Sequence, residues 1–237
     1  MQIQKKKLIL HLIFTVIVLC VLTNPSEETT VLEFVCKPMI MIWIAGYFLL
    51  YSRDMHHPVF RFALFAFFFS WLGDVALMFD GISCFLSGIT AFLVAHLFYI
   101  LTFLRPKDRE SSSLLRKKPL WILPFAIYGV VMMWILVPKV NAIIKPAVIL
   151  YTLTLLVMAG SALNRRNKVS KKSYFTVLGG AILFVFSDSL IAINKFAVGI
   201  PKSGIWIMTT YILAQYLIMS GLLTQVNGTK KAMNLKM

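Results

Sequence analysis

The 237-residue sequence predicts an all-α polytopic membrane bundle of about eight transmembrane helices, with both termini cytoplasmic. Three observations carry that prediction. Apolar residues make up 59% of the chain and charged residues 14%, whereas a typical globular domain is about 45–50% apolar and about 25% charged. The apolar residues fall into eight runs, each near the ~20 residues that cross ~30 Å of hydrocarbon. The connections between these runs alternate in charge. Nineteen Lys and Arg fall on one side against Lys139, Lys195 and Lys202 on or near the other, with Lys37 and Lys145 inside spans, which sets orientation by the excess of cations on cytoplasmic loops.

The runs are Leu8–Thr23, Val31–Tyr51, Phe60–Phe79, Ser83–Leu104, Pro119–Val137, Asn141–Leu163, Tyr174–Phe196 and Ile205–Gln225. Turn chemistry separates them: Asn24-Pro25-Ser26, His57-Pro58, Asp80-Gly81, the polar stretch 105–118, Pro138, the stretch 164–173, and 199–204 around Pro201. The first run follows Lys5-Lys6-Lys7 and has the outline of a signal peptide. Thr23-Asn24-Pro25 lacks a small-x-small cleavage site, so the run is read as a helix of the bundle. A net charge of +15 usually raises nucleic acid as a partner, but here the cations lie in short clusters between apolar runs and report topology. Cys20, Cys36 and Cys84 have no metal-ligand spacing and read as packing residues, without a disulfide. Asn227-Gly228-Thr229 fits a glycosylation acceptor but falls on the cytoplasmic side.

The chain then repeats itself. Lys37-Pro38 in the second run matches Lys145-Pro146 in the sixth, Asp74 in the third matches Asp188 in the seventh, and His96 in the fourth matches Gln215 in the eighth. Order and depth agree as well as residue type. The chain therefore reads as a single integral membrane domain, 1–237, with repeat halves 8–104 and 119–225 related by an axis along the membrane normal. The six polar groups fall in one slab in the non-cytoplasmic half and middle of the bilayer. Pro38 and Pro146 are expected to free the carbonyls of Phe34 and Ala142 and to bend their helices beside a wet cavity.

Asp or Lys at the centre of a membrane helix costs about 2.5–3.5 kcal/mol each, so two of each carry a gross penalty on the order of 10 kcal/mol. Structural ion pairs, Lys37 with Asp74 and Lys145 with Asp188, would offset part of it, as would snorkelling lysines. The functional alternative is a site in which two acids in different surroundings hold different protonation states. His96 and Tyr99 share a helix face three residues apart, and Asp188 and Lys195 lie seven apart and nearly in line. His11, alone in the first run, reads as packing.

Several chemistries are excluded or disfavoured. There is no GxSxG elbow for a serine nucleophile and no HExxH or clustered His for zinc, so no metal or cofactor is expected. Gly73-Asp74 matches half of an intramembrane aspartyl protease signature, but Trp71 replaces its first glycine and Ser187 stands where the partner motif has tyrosine.

Phe69-Ser70-Trp71-Leu72-Gly73-Asp74, Ala95-His96-Leu97-Phe98-Tyr99, the run from Phe186 through Ser187-Asp188 and Ala192 to Asn194-Lys195-Phe196, and Tyr211-Ile212-Leu213-Ala214-Gln215 resemble the YhhN-like lysoplasmalogenase family of multi-pass membrane proteins. The likeness spans essentially the whole chain; Tyr211-Ile212 departs from the Tyr-Tyr pair of many relatives. The resemblance implies hydrolysis of the vinyl-ether bond of lysoplasmalogens to a fatty aldehyde and glycerophosphoethanolamine or glycerophosphocholine. It also implies residence in a bacterial inner membrane or a eukaryotic endomembrane. Asp74 and Asp188 would then be catalytic, one giving the proton and the other stabilising the cation or activating water. Lys37 and Lys145 would tune these acids or meet the substrate phosphate, with Lys195 in line with Asp188, while His96, Tyr99, Asn194 and Gln215 would orient water and the glycerol hydroxyl. A transporter or lipid-binding protein with a charged central cavity is the alternative from a different class.

Overall fold

The computed structural model describes residues 2–23, 31–52, 54–105 and 114–234. The break at Asn24-Pro25-Ser26 and the cations Arg53, Lys107, Arg109 and Lys236 lie outside these residues, as do the side chains of Lys6, Lys230 and Lys231. Every regular element among the described residues is helical: α1 (Gln2–Thr23), α2 (Val31–Tyr51), α3 (Pro58–Ala76), α4 (Ile82–Phe103), α5 (Leu114–Lys117), α6 (Leu123–Leu136), α7 (Lys145–Leu163), α8 (Lys171–Ala192) and α9 (Ser203–Asn234). A 3₁₀ turn, Pro119–Ile122, leads into α6, and a π-helical turn, Ile193–Ala197, ends α8. Seven of these segments are long and apolar enough to cross a bilayer; the apolar part of α1, Lys7–Thr23, is shorter. The chain is an integral, multi-pass membrane protein.

Helix ends follow local chemistry. Pro58 opens α3 behind His57, whose Nδ1 accepts the Val59 N–H at 3.2 Å. Ser170 caps α8 by accepting from the Ser173 N–H. Gly81, at φ 110°, turns the chain from α3 into α4, a backbone state that side chains resist. α3 pairs with α4, and α8 with α9, more extensively than any other helices. Around these two hairpins, α2 packs on α1 and α3, α7 packs on α6 and α8, and the halves meet where α4 touches α7 and α2 touches α9. Phe48, Phe67, Phe184, Met158 and Ile218 fill the shared core.

Two sequence expectations change. Lys145 and Pro146 open α7 instead of lying inside it. At the first turn the missing proline N–H is one of the donors that have no intrahelical partner anyway, so no carbonyl is released and no bend results. Pro38 does lie inside α2. The two Lys-Pro pairs thus occupy different positions in their helices.

Cys20 and Cys36 form a disulfide, Cα to Cα 6.5 Å, in place of the packing role expected for them. The antiparallel packing of α1 on α2 brings the end of one helix beside the start of the next. Disulfides persist on the oxidising side of a membrane, the side that the charge bias gives to this connection. Alkylation of the unreduced protein is expected to label Cys84 alone, and alkylation after reduction all three cysteines. Three labels without reduction, read by intact mass, would contradict the bridge.

Candidate functional site

Asp74 and Asp188 are both buried, at 4% and 7% exposure, and the helices around them supply hydroxyl donors. Tyr211 of α9 donates its hydroxyl to Asp74 Oδ2 at 2.7 Å. Gln215, one turn on, donates its Nε2 to the Tyr211 oxygen at 3.3 Å and accepts the Tyr99 hydroxyl on its Oε1. A polar string therefore runs from α3 through α9 to α4. A buried phenol or amide in a membrane interior is costly unless partnered, and here each partners the next.

Asp188 has a separate set of partners. Tyr151 of α7 donates to Asp188 Oδ2 at 2.5 Å. His96 Nε2 lies 3.6 Å from the same oxygen, with the ring fully buried. Neither ring nitrogen of His96 makes a hydrogen bond within the structure. Its ring stands edge-on to Tyr151 and Phe184, centroids 5.3 and 4.9 Å away. Phe184 also meets Tyr99 and Tyr211, so one aromatic ring separates the two polar groups. The two carboxylates are within electrostatic reach of one another, and Lys37 is within reach of Asp74.

A pocket opens beside Asp188, lined by α4, α6, α7 and α8. Its walls are apolar apart from Asp188, Ser189, Tyr128, Tyr151 and Thr152. Tyr128 donates to Ser189 at 2.7 Å, which satisfies both hydroxyls. Asp74 does not line this pocket.

Of the residues singled out in the sequence, Asp74, Tyr99 and Gln215 join in one string, and Asp188 and His96 in the adjoining group. Lys145 and Lys37 are half-buried near helix starts. Among the described residues, neither makes an ion pair with a carboxylate, so the structural pairs with Asp188 and Asp74 do not form. Asn194 lies in the π-helical turn, where its side chain accepts the Ile200 N–H at 2.8 Å and shapes the α8–α9 connection. Lys195 is exposed, with Nζ 5.0 Å from the Phe85 ring centroid. His11 packs among Trp43, Tyr47 and Tyr216, as its isolation in the first run suggests. The roles of Tyr151 and Tyr211 were not anticipated. The available signal was a lone phenol in an apolar span, since such a hydroxyl must find a partner on another helix. Among the described residues, no three His, Cys, Asp or Glu side chains gather as a metal site would require.

A buried carboxyl on the wall of an apolar pocket can move a proton to or from an apolar molecule. Comparison with known proteins bears on which molecule. Lysoplasmalogenase TMEM86B of Sus scrofa is 35% identical over 150 residues, covering 63% of this chain and 58% of the pig protein. Lysoplasmalogenase TMEM86A of Bos taurus is 27% identical over 202 residues, or 83% of this chain and 78% of the bovine protein. The human TMEM86A lysoplasmalogenase is 26% identical over the same length and the same shares. The chain thus aligns with little more than half the length of the pig relative. No solved structure matches. The family model of the YhhN family matches residues 32–222, most of the chain and all of the residues gathered at the two carboxylates. The chain belongs to the YhhN family.

Proposed function

We propose that this protein hydrolyses the vinyl-ether bond of lysoplasmalogens within the membrane, releasing a fatty aldehyde and glycerophosphoethanolamine or glycerophosphocholine. The observation that carries the reading is Asp188, hydrogen-bonded by Tyr151 and 3.6 Å from His96, on the wall of a largely apolar pocket. The names of the relatives agree with it.

A vinyl ether is cleaved by protonation at carbon. The protonated carboxyl of Asp188 gives its proton to the outer vinyl carbon, and the ether oxygen shares the resulting charge as an oxocarbenium ion. The negative charge of Asp74, behind the Phe184 ring, stabilises that cation from outside the pocket, as a second carboxylate does in glycoside hydrolysis. Water, oriented by the free nitrogens of His96, adds to the cationic carbon and returns a proton to Asp188. The hemiacetal then collapses: Asp188 protonates the glycerol oxygen as its bond to that carbon breaks, and the hemiacetal hydroxyl returns its proton to the carboxylate. Tyr211, Gln215 and Tyr99 act on Asp74 as positioning residues.

Two four-helix repeats in one domain, with both termini cytoplasmic, remain the architecture we favour. The matched pairings of α3–α4 with α8–α9, α1–α2 with α6–α7, and α2–α9 with α4–α7 support the repeat. The cation asymmetry supports the orientation.

The purified protein in detergent is expected to release aldehyde from lysoplasmenyl lipid and none from the saturated 1-O-alkyl analogue, followed by mass spectrometry. A carrier would release none from either and would only move solute across a sealed bilayer. That outcome would overturn the hydrolase reading.

A further inference from the structure

We propose that Lys139, Lys145 and Lys195 form a cationic rim at one end of the pocket that receives the phosphate of a single-chain phospholipid, an assignment that rests on the hydrolase reading above. Four pocket-lining residues mark that end: Phe85 in the first turn of α4, Leu136 at the end of α6, Ile144 just before α7, and Phe196 in the turn that closes α8. Phe85 and Phe196 meet edge to face, centroids 5.9 Å apart. Each lysine lies beside one of these residues or its chain neighbour. Lys195 holds its Nζ over the Phe85 ring, Lys139 donates to the carbonyl of Ala197 at 3.4 Å, and Lys145 directly follows Ile144.

The distribution of charge makes the placement informative. Of 24 Lys and Arg, nineteen belong to the face that carries the termini, leaving Lys37, Lys139, Lys145, Lys195 and Lys202. Three of those five lie next to residues at one end of one pocket, outside its lining. Among the described residues, none of the three is within salt-bridge distance of a carboxylate, so their charge is available to a ligand. An ammonium group is a compact point charge suited to phosphate.

The spacing also fits. Asp188 and Lys195 are seven residues apart, a rise somewhat below the ~10 Å of a regular helix because Ile193–Ala197 is a π-helical turn. In a lysoplasmalogen five bonds separate the ether oxygen from the phosphorus and seven separate the outer vinyl carbon from it, roughly 6 Å and roughly 9 Å when extended. The phosphate would sit under the rim, the vinyl ether would lie level with Asp188, and the alkenyl chain would lie along the apolar wall. The rim thereby favours lysophospholipids over uncharged ether lipids.

The test uses two ligands that the protein cannot cleave: a 1-O-alkyl lysophospholipid and the corresponding 1-O-alkylglycerol, which lacks phosphate. Binding is read by tryptophan fluorescence on the full chain in detergent. The parent protein is expected to bind the phospholipid about tenfold more tightly than the alkylglycerol. K139Q/K195Q should lose that preference, and K139R/K195R should retain it. Equal binding of the two lipids by the parent protein overturns the proposal whether or not any variant folds, as does a preference that survives in K139Q/K195Q. Inorganic phosphate alone should give no saturable signal; one that K139Q/K195Q abolishes would mark a free-anion site and overturn the lipid assignment. A phosphate preference in a protein that releases no aldehyde would leave the rim standing and count against the hydrolase reading.

Discussion

Asp188→Asn is expected to lower aldehyde release from lysoplasmenyl lipid by about 10³-fold or more, because a positioned general acid contributes roughly 10²–10⁴-fold and Asn has no proton to give to carbon. The substitution keeps the shape of the side chain. Its amide can still meet the Tyr151 hydroxyl that now lies 2.5 Å from Oδ2, so the melting temperature in detergent should stay close to that of the parent. Removing a buried carboxyl also relieves a desolvation cost, which argues further against unfolding. The loss should therefore appear in kcat, with KM for the phospholipid little changed, because the carboxyl makes its contribution only as charge develops on the ether. Parental turnover by purified Asp188→Asn would remove Asp188 from the chemistry. A comparable fall in kcat together with a large fall in melting temperature would instead make it a structural residue.

The runs of apolar residues and the cation asymmetry are enough to predict a polytopic bundle, because span length and loop charge are local properties of the chain. Helix rotation is not local. Asp74 and Asp188 stood out in the sequence because an acid in an apolar run is conspicuous wherever it points. Tyr151 and Tyr211 did not, since a tyrosine is at home in a membrane helix, and only the packing of α7 on α8 and of α9 near α3 brings each hydroxyl to its carboxylate. The Lys145-Pro146 pair was misread for a related reason. An apolar stretch starting at Asn141 does not say that the helix itself begins at Lys145, and that start decides whether the proline bends a helix or opens one. Cys20 and Cys36 each read as packing, and their bond depends on two helix ends meeting in space. That Asp74 with Gln215 and Asp188 with His96 would form two groups on either side of Phe184, with Lys37, Lys145, Asn194 and Lys195 outside both, was not legible in the sequence.

Gly180→Leu should cost more stability than any single substitution at the pocket wall. α8 and α9 approach so closely that a Cβ at Gly180 would lie 2.8 Å from the Ala214 carbonyl oxygen and 3.0 Å from the Ile218 nitrogen. On the other side of the contact, a Cβ at Gly221 would lie 3.1 Å from the Ser173 carbonyl oxygen and from the Val177 nitrogen. These are backbone atoms of regular helices and cannot rotate away. Within lipid, two apolar helices gain little by hiding from their surroundings, so their association depends on close contact made possible by small residues. A leucine would force the pair apart at a cost of about 3 kcal/mol or more, the upper range for overpacking. The damage would also reach the site, since Asp188 rides on α8 and Tyr211 on α9, and Ser187 donates across the same interface to the Ile207 carbonyl at 3.1 Å. Both the melting temperature and aldehyde release should therefore fall together, unlike the separation expected for Asp188→Asn. Gly46→Ala serves as the control: nothing lies within 4 Å of a Cβ built there in the middle of α2, and alanine should hold or raise stability by up to about 1 kcal/mol through helix propensity. A Gly180→Leu protein that melts with the parent would show that the α8–α9 contact does not hold the bundle together.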